Sequence, residues 1–343
     1  MPDAGARVDL KRALAAQPRL SLAHLPTPLE PLDRLSAELG GPRILVKRDD
    51  CSGLGLGGNK TRKLEFLMAE ARAQGADTVI STGGIQSNHV RQTAAAAAKL
   101  GLACELVLTR VVPWGGADYE LSGNIQLDRL FSARLHLHDG DTDRAAAMEA
   151  LAEALRREGR TPFVIPTGGS NTTGALGYAA AALELHRQLA ELDLRAGAIV
   201  HATSSGGTQA GLTAGFAALD PSVEIIGIDV DAHPAAVLAE VRRLAHAVWD
   251  RLGLDGQVPE AAFRLESGHA GAAYGLPTPE MRDAVRLSAR LEGLLLDPVY
   301  SGKAMAGLVA LIAAGRFSAA DHVVFLHTGG MPALFPYREA LEG

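Results

Sequence analysis

The sequence predicts an α/β protein with open, twisted, mostly parallel sheets covered by helices. Strand-like and helix-like segments alternate along the chain, which is typical of parallel sheets with helices on both faces. Three strand-like runs continue directly into glycine, in STGG, SSGG and HTGG (81–84, 204–207 and 327–330). Ligands bind outside the carboxyl ends of strands in such sheets, so these turns mark the expected site.

The individual elements follow from hydrophobic periodicity. Short runs rich in Val, Ile and Leu predict strands at 43–49, 77–82, 103–109, 133–138, 162–169, 197–207, 223–231 and 322–330. Leu, Met and Ala recur at helical spacing and predict helices at 61–75, 88–101 and 141–159. Because no fixed-period repeat or low-complexity linker divides the chain, we expect a second domain to be an insertion rather than a tail.

Composition excludes several classes of function. The 343 residues are 47% hydrophobic and 21% charged, with a formal net charge of −6, which gives no basic excess for binding nucleic acid. The two cysteines, Cys51 and Cys104, are too few for a disulfide framework, and no zinc-type C-x-x-C occurs. No segment resembles a secretory signal or a membrane span. We therefore expect a cytoplasmic protein without a metal site or a membrane partner.

The stretch CSGLGLGGNKTRKLEF (51–66) matches a dinucleotide fingerprint only by spacing. Gly53, Gly55 and Gly58 form G-x-G-x-x-G, which requires a tight turn after a strand and an acid at the end of the next strand. Residues 48–52 separate the strand RILVK from Gly53, and the next strand ends in VIST. A nicotinamide site is therefore disfavoured.

Other interpretations of this stretch concern Lys60. A P-loop needs adjacent Gly and Lys, but Asn59 separates Gly58 from Lys60. Two interpretations stay open: a glycine loop with a solvated lysine, and a loop that presents Lys60 as a reactive amine. A pyridoxal phosphate site would also need a phosphate cradle, a ring platform and a partner for the ring nitrogen.

Five separated motifs offer those parts. They are GGNKTRKLEFL (57–67), GGIQSNHVRQTAAAAAKLGL (83–102), TSSGGTQAGL (203–212), LLLDPVYSGKAMAGL (294–308) and FLHTGGMPALF (325–335). Together they resemble the D-cysteine desulfhydrase and 1-aminocyclopropane-1-carboxylate deaminase family, from about residue 20 to the C-terminus. The resemblance implies pyridoxal 5'-phosphate as cofactor and a tryptophan-synthase-β-like fold of fold type II.

The resemblance also implies catalytic roles. Lys60 corresponds to the Schiff-base lysine, which also carries the proton of the substrate Cα; this requires a lowered pKa. Ser87 corresponds to a residue at the substrate carboxylate, where a helix N-terminus suits an anion. Tyr300 corresponds to a tyrosine over the cofactor or near the leaving group, and Tyr274 matches a second active-site tyrosine more loosely.

Binding roles follow from the same resemblance. Asn88 would bind the phenolic oxygen of the cofactor, Thr328 its pyridine nitrogen, and SSGGT its phosphate, with charge from Lys63. The implied cofactor-binding residues are Lys60, Lys63, Asn88, Ser204, Ser205, Gly206, Gly207, Thr208 and Thr328. The implied substrate-binding residues are Gln86, Ser87, Asn88 and His89.

Taken alone, most of these residues also allow a structural interpretation. Ser87 and Asn88 suit a plain helix cap, and SSGGT suits an ordinary turn between a strand and a helix. Lys63 suits a solvated helix position, Tyr300 a protein core, and His89 a structural role.

Matched positions within the family favour α,β-elimination. The cyclopropane deaminases carry Glu after the DPVY tyrosine, Leu in HLGG and Gln after QSN, where this chain has Ser301, Thr328 and His89. A neutral hydroxyl at the ring nitrogen makes a weaker electron sink, which suits loss of a good β-leaving group better than ring opening. The favoured reaction converts D-cysteine to pyruvate, ammonia and hydrogen sulfide.

Several alternatives stay open at this point. They are 1-aminocyclopropane-1-carboxylate deamination, L-cysteate sulfo-lyase activity and, from another class, a non-catalytic pyridoxal-phosphate-binding protein. The resemblance further implies a homodimer that binds a small amino acid. It also implies a large cofactor-binding domain of residues 1–64 and 176–343 and a small inserted domain of residues 65–175.

Overall fold

A computed structural model describes the backbone of residues 4–342 and the side chains of residues 10–342. Its strands, numbered β1 to β10, are Leu29–Pro31, Arg43–Arg48, Thr78–Gly84, Ala103–Thr109, Arg134–His138, Pro162–Ile165, Ala198–Thr203, Glu224–Asp229, Arg264–Glu266 and His322–His327. The α-helices, α1 to α13, are Ala4–Ala15, Asp33–Leu39, Lys60–Ala73, Asn88–Leu100, Ala117–Leu121, Gly123–Leu130, Arg144–Arg157, Thr172–Glu191, Gly207–Leu219, Pro234–Arg251, Pro279–Glu292, Ser301–Ala313 and Arg338–Leu341.

The strands form two sheets. The larger has the order β1-β2-β10-β7-β8-β9, and the smaller has the order β5-β4-β3-β6. Every pairing is parallel except β1 with β2. The predicted mostly parallel α/β class is therefore confirmed. All residues of β3 and β7 are buried, as expected for parallel strands covered on both faces.

Helices cover both sheets. On one face of the larger sheet, α8, α9 and α10 pack over Ile199, Ile225 and Val324. On its other face, α2, α11 and α12 pack over Val200 and Phe325. The smaller sheet packs against α3, α4 and α6 on one face and against α7 on the other. Both sheets therefore expose mainly the ends of their strands.

The predicted boundaries differ from the structure in ways that matter for the site. β3 continues through Gly83 and Gly84, which the prediction assigned to a turn. The helix predicted from 141 begins at Arg144, because Asp143 caps it by accepting from the backbone N–H groups of Ala145 and Ala146. The short edge strands β1 and β9 were not predicted, since three residues carry too little periodicity.

The smaller sheet lies within residues 78–165, inside the segment predicted to be an insertion. The exact limits of the two domains, 65–175 and the remainder, stay a prediction. Within residues 4–342, the helices are too short or too polar to cross a membrane.

Candidate active site

A cavity of about 410 Å³ lies where the carboxyl ends of the two sheets meet. The larger sheet contributes the residues that follow β2, β7, β8 and β10. The smaller sheet contributes the ends of β3, β4 and β6 and the first residue of α7. The predicted site residues on its wall are Lys60, Ser87, Asn88, His89, Ser204, Ser205, Gly206, Thr208, Tyr274, Tyr300 and Thr328.

Lys60 is the first residue of α3 and lies partly buried on the cavity wall. Burial lowers the pKa of its amine from 10.5 to about 8, although a hydrogen bond with Lys63 opposes this shift. The backbone N–H of Asn59 donates to the Thr328 carbonyl at 3.0 Å, which ties the segment before Lys60 to the end of β10. A substantial fraction of the amine is therefore neutral near pH 8.

The glycine loop before Lys60 is shaped by close backbone approaches. Gly57 has φ 69°, and a Cβ there would lie 1.9 Å from the Asp50 carbonyl oxygen, so no other residue fits without rearrangement. The Arg91 guanidinium, from α4, donates to the carbonyls of Gly55 and Gly57, the latter at 2.7 Å. The glycines therefore build a folded loop and not a flexible one.

A buried ionic network anchors both ends of this loop. Arg62 donates to both carboxylate oxygens of Asp49 at 2.8 Å and also bonds Glu184. Lys47 bonds Glu184 at 2.5 Å, and the Tyr178 hydroxyl donates to Asp49 at 2.6 Å. This network joins β2, α3 and α8, and it fixes α3 at Arg62, two residues after Lys60.

The SSGGT turn joins β7 to α9. Gly206 adopts φ 78° and is the N-cap residue, so the first N–H groups of α9 lie beside the cavity. Such N–H groups suit a phosphate. The Ser204 hydroxyl donates to Asp231 at 2.8 Å, and the Thr208 hydroxyl accepts from the Asn59 amide at 3.1 Å.

Lys63 is buried behind this turn. Its Nζ donates to the Gly168 carbonyl at 3.1 Å and to the Ser170 hydroxyl at 3.0 Å. The Ser170 hydroxyl also lies 2.8 Å from Ser205 Oγ and accepts from the Gly207 N–H at 3.3 Å. Burial, with the nearby Lys60 charge, lowers the pKa of Lys63 well below its usual value. An anion bound at the turn would favour the charged form again.

The start of α4 provides donors at the opposite wall. Ser87 caps the helix, accepting from the Val90 N–H at 3.4 Å. The Asn88 Oδ1 atom accepts from the Asn124 amide at 2.9 Å, which leaves the Asn88 NH₂ group to face the cavity. The cap interpretation and the site interpretation of Ser87 and Asn88 are thus compatible.

Gln86 is not brought to the cavity wall. Its amide donates to the Tyr119 and Ser122 carbonyls at 2.6 and 2.9 Å, and its Oε1 accepts from the Asn124 N–H at 2.9 Å. All of its polar atoms are used on the 119–124 segment. The expectation of direct substrate binding by Gln86 is corrected to positioning of the segment that holds Asn124.

His89 is buried on the cavity wall, and its Nε2 lies 2.8 Å from Ser81 Oγ. Burial, with the positive charges of Lys60 and Lys63, lowers the pKa of this imidazole well below 6.5. The ring is therefore neutral at physiological pH, and it can accept or relay a proton only as neutral imidazole.

Tyr274 and Tyr300 form a hydroxyl–hydroxyl hydrogen bond on the cavity wall. Their rings lie 5.9 Å apart, edge to face. Burial raises the pKa of Tyr300 well above 10, and it raises that of Tyr274 to about 12. Both phenols therefore stay protonated and can donate.

Ser301 and Thr328, which the sequence comparison paired, lie in different surroundings. Thr328 lines the cavity beside Lys60. The Ser301 hydroxyl instead donates to Asp297 at 2.6 Å and accepts from the Asp297 N–H at 2.8 Å. Thr328 therefore lines the cavity, whereas the Ser301 hydroxyl, which the sequence comparison set beside it, is engaged by Asp297.

The residues present fit pyridoxal phosphate. A Cβ at Gly207 would lie 2.6 Å from Ser170 Oγ and 2.9 Å from Lys63 Nζ, so a side chain would fill the cradle at the start of α9. An amine, an amide donor and a neutral hydroxyl, from Lys60, Asn88 and Thr328, face the same cavity. These match the aldehyde, the phenolic oxygen and the ring nitrogen of that cofactor.

Four residues of this site were not predicted. Asp231 comes two residues after β8 and ends the strand predicted at 223–231, so its position at a strand end was an available signal. Ser170 follows a glycine turn, in TGGS, much as Ser204 begins one. Asn124 and Arg144 carry no local signal, because only the packing of α6 and α7 brings them to the site.

Comparisons with known proteins show what this chain is similar to over most of its length. The family model described as "Pyridoxal-phosphate dependent enzyme" matches residues 20–329. The D-cysteine desulfhydrase of Klebsiella pneumoniae (strain 342) is 47% identical over 324 residues, 94% of this chain and 97% of that protein.

Solved structures show the same fold. A structure described as an ACC deaminase homologue is 37% identical, with a TM-score of 0.88, and the match covers 97% of this chain and 98% of that one. Threonine deaminase isoform 2 from Solanum lycopersicum is 19% identical, with a TM-score of 0.66, over 96% of this chain and 86% of that one, and supports the fold alone.

Proposed function

Because this chain belongs to the pyridoxal-phosphate dependent enzyme family, we propose that it catalyses α,β-elimination on a small β-substituted amino acid. The favoured substrate is D-cysteine, which with water yields pyruvate, ammonia and hydrogen sulfide. The 47% identity to a D-cysteine desulfhydrase over 94% of the chain supports this choice. The observation that carries the proposal is the buried Lys60 amine, whose pKa is lowered to about 8 on the cavity wall.

Pyridoxal phosphate, when bound, withdraws electrons from the Cα of an attached amino acid and so makes its proton acidic. The start of α9, with Ser205 and Thr208, would hold the phosphate, and Lys63 would add charge behind it. Asn88 would donate to the phenolic oxygen, and Thr328 would face the ring nitrogen as a neutral hydroxyl.

Lys60 is the base in this proposal. When its Nζ is not bound to the cofactor, it takes the proton from the substrate Cα, and a pKa near 8 leaves about half of the amine neutral at pH 8 for that task. Ser87 and the N–H groups at the start of α4 bind the substrate carboxylate. His89 lies on the same wall and is neutral, because burial and the Lys60 and Lys63 charges lower the pKa of its imidazole.

The tyrosine pair serves the leaving group. Sulfide is a poor leaving group without a proton, and the Tyr300 and Tyr274 hydroxyls hold one at a cavity wall. Tyr300 Oη delivers the proton to sulfur, and Tyr274 Oη replaces it through their shared hydrogen bond.

The enzyme is also proposed to act as a homodimer in the cytoplasm. Cys51 and Cys104 are both free thiols, which fits a reducing compartment. Light scattering of the purified holoenzyme tests the dimer: a mass of about twice 35.8 kDa is expected, and a monomeric mass would contradict it.

A panel of amino acids tests the reaction. Pyruvate and sulfide are measured with D-cysteine, L-cysteine, β-chloro-D-alanine, D-serine and L-cysteate, and α-ketobutyrate is measured with 1-aminocyclopropane-1-carboxylate. Equal pyruvate and sulfide from D-cysteine is the expected result. The visible absorption of the holoenzyme should disappear in Lys60→Ala.

A second candidate function is 1-aminocyclopropane-1-carboxylate deamination, which the structural similarity to an ACC deaminase homologue favours. It predicts α-ketobutyrate as the main product and little sulfide from D-cysteine. Sulfite from L-cysteate without sulfide from D-cysteine would instead identify a sulfo-lyase.

A further inference from the structure

Arg144 is a cationic side chain on the cavity wall that the reaction described above does not use. It is the first residue of α7, and its Nε donates to the Thr109 hydroxyl at 2.9 Å. Within the described side chains, its terminal nitrogens have no recorded hydrogen-bond partner, and no carboxylate lies within ion-pair distance. A guanidinium in a cavity with its outer edge unpaired is suited to bind an anion.

The position of Arg144 separates it from the phosphate cradle. In the order β5-β4-β3-β6, Arg144 comes shortly after one edge strand and Gly168 after the other. A Cβ at Gly168 would lie 2.4 Å from Ser205 Oγ and 3.4 Å from Lys60 Nζ, so the β6 end adjoins the cradle and the reactive amine. Arg144 and the residues that adjoin the cradle therefore follow opposite edge strands of the smaller sheet.

Arg144 shares the cavity wall with Tyr274 and Asp231. Burial raises the pKa of Tyr274 to about 12, and the Asp231 charge adds to this rise. The hydrogen bond to Tyr300 and the Arg144 charge both lower the same pKa. Arg144 lines the same cavity as the two phenols proposed to serve the leaving group. Asp231 lines the same cavity but already accepts from Ser204 at 2.8 Å.

We propose that Arg144 binds an anionic group carried on the β-carbon of the bound amino acid, so that β-sulfonates are substrates of the elimination and β-carboxylates bind without reacting. The α-carboxylate has its own donors at Ser87 and the start of α4, so a second anion requires a second site. The planar fork of Arg144 matches the paired oxygens of a sulfonate or carboxylate. This inference rests on the proposed elimination.

The reaction on such a substrate balances without a further reactant. The Cα proton moves to Lys60 Nζ, and the Cβ–S bond of cysteate breaks with its electron pair leaving on sulfur as sulfite. Water then completes the conversion to pyruvate and ammonia. Arg144 would hold the sulfonate before cleavage and stabilise the departing anion.

Aspartate and asparagine provide a matched pair of probes, because they differ only in the charge of the group on Cβ. Binding of each enantiomer to the holoenzyme is measured from the change in visible absorption. Arg144→Gln should weaken the binding of aspartate about tenfold or more, while it should change the affinity for asparagine less than about threefold. Arg156→Gln, on the same helix with its guanidinium paired to Glu149 at 2.8 Å, should change neither.

Turnover provides the second measurement. In Arg144→Gln, kcat/KM for cysteate should fall about tenfold or more relative to that for β-chloro-D-alanine. Arg144→Lys keeps the charge but loses the planar fork, so its kcat/KM for cysteate should lie between those of the wild type and Arg144→Gln. The Lys variant replaces Arg144→Gln should that variant not fold.

Equal losses of affinity for aspartate and asparagine would overturn the inference, since Arg144 would then bind the α-carboxylate or pair with Asp231 across the cavity. Unchanged affinity for both would also overturn it. Failure of the proposed elimination is a distinct result: the wild-type holoenzyme would release no pyruvate from any of these amino acids, while the binding measurements would still report on Arg144.

Discussion

The amide nitrogen of Asn124 donates to Asn88 Oδ1 at 2.9 Å, and this contact orients the Asn88 amide at the cavity wall. Asn124 is itself held from three sides. Its Nδ2 also donates to the Gln86 carbonyl at 3.0 Å, its N–H donates to Gln86 Oε1, and its Oδ1 accepts from Arg91 at 3.0 Å. A residue on α6 thus decides which end of the Asn88 amide faces the cavity.

Asn124→Asp should reverse the orientation of Asn88. The new carboxylate cannot donate, so the Asn88 NH₂ group turns toward it and presents Oδ1 to the cavity. We expect a shift of the visible absorption of the holoenzyme and about a tenfold loss of pyruvate formation, from the lost hydrogen bond. The thermal unfolding midpoint should be measured alongside, and an unchanged spectrum in a folded variant would contradict this role.

Gly207→Ala should weaken cofactor binding. The added Cβ would lie 2.6 Å from Ser170 Oγ and 2.9 Å from Lys63 Nζ, and overpacking of this kind costs about 1–3 kcal/mol. Fluorescence titration of the apoenzyme with pyridoxal phosphate should show about a tenfold higher Kd. Gly115→Ala, where the Cβ meets nothing within 4 Å, is the matched control.

Tyr300→Phe should distinguish leaving groups. Loss of Tyr300 Oη removes the proton donor proposed for sulfide, so sulfide release from D-cysteine should fall about a hundredfold. Chloride leaves without a proton, so pyruvate from β-chloro-D-alanine should change less than about threefold. Equal losses with both substrates would show that the hydroxyl positions the substrate instead of protonating the leaving group.

The rate at which the apoenzyme captures pyridoxal phosphate should depend on the Lys60 amine. Burial lowers its pKa from 10.5 to about 8, and only the neutral amine attacks an aldehyde. The rate should therefore rise with pH through about 8 and then level off, as followed by visible absorption in stopped flow. Because the hydrogen bond with Lys63 raises this pKa, Lys63→Met should move the midpoint lower. A midpoint near 10.5 would contradict the burial argument.

Asp49→Asn should destabilise the protein strongly. Asp49 is fully buried, and its loss leaves Arg62 and Lys47 to share the single carboxylate of Glu184. One buried positive charge is then uncompensated, which costs about 3–5 kcal/mol of unfolding free energy. Urea unfolding measures this, and Asp77→Asn, in an exposed pair with Arg160, should cost less than about 1 kcal/mol.

The Asp49–Arg62 pair also predicts how the stability of the protein depends on pH. Burial alone would raise the pKa of Asp49, but the charge and hydrogen bonds of Arg62 lower it below 3.8. The stabilisation that ionised Asp49 contributes is therefore complete above pH 3.8, and it is lost as the pH falls through the lower pKa of Asp49 in the folded protein. Asp49→Asn should remove this part of the acid dependence.

Much of this architecture was predictable from local pattern. The eight predicted strands all occur, because buried parallel strands are runs of Val, Ile and Leu. Helix α9 was not predicted, since 12 of its 13 residues are buried and an apolar helix shows no amphipathic period. The roles of Lys60 and of the SSGGT turn came from motif resemblance, and they stay proposals.

The sequence by itself determined the α/β class, the family and the segments that carry the cofactor site, because strand periodicity and short motifs are local properties. Only the tertiary structure decided which side chains face the cavity. It directed Gln86 and Ser301 elsewhere and brought Asn124, Ser170, Asp231 and Arg144 to the site. The physical reason is that the order of strands in each sheet, and the packing of the two sheets end to end, join residues far apart in the chain.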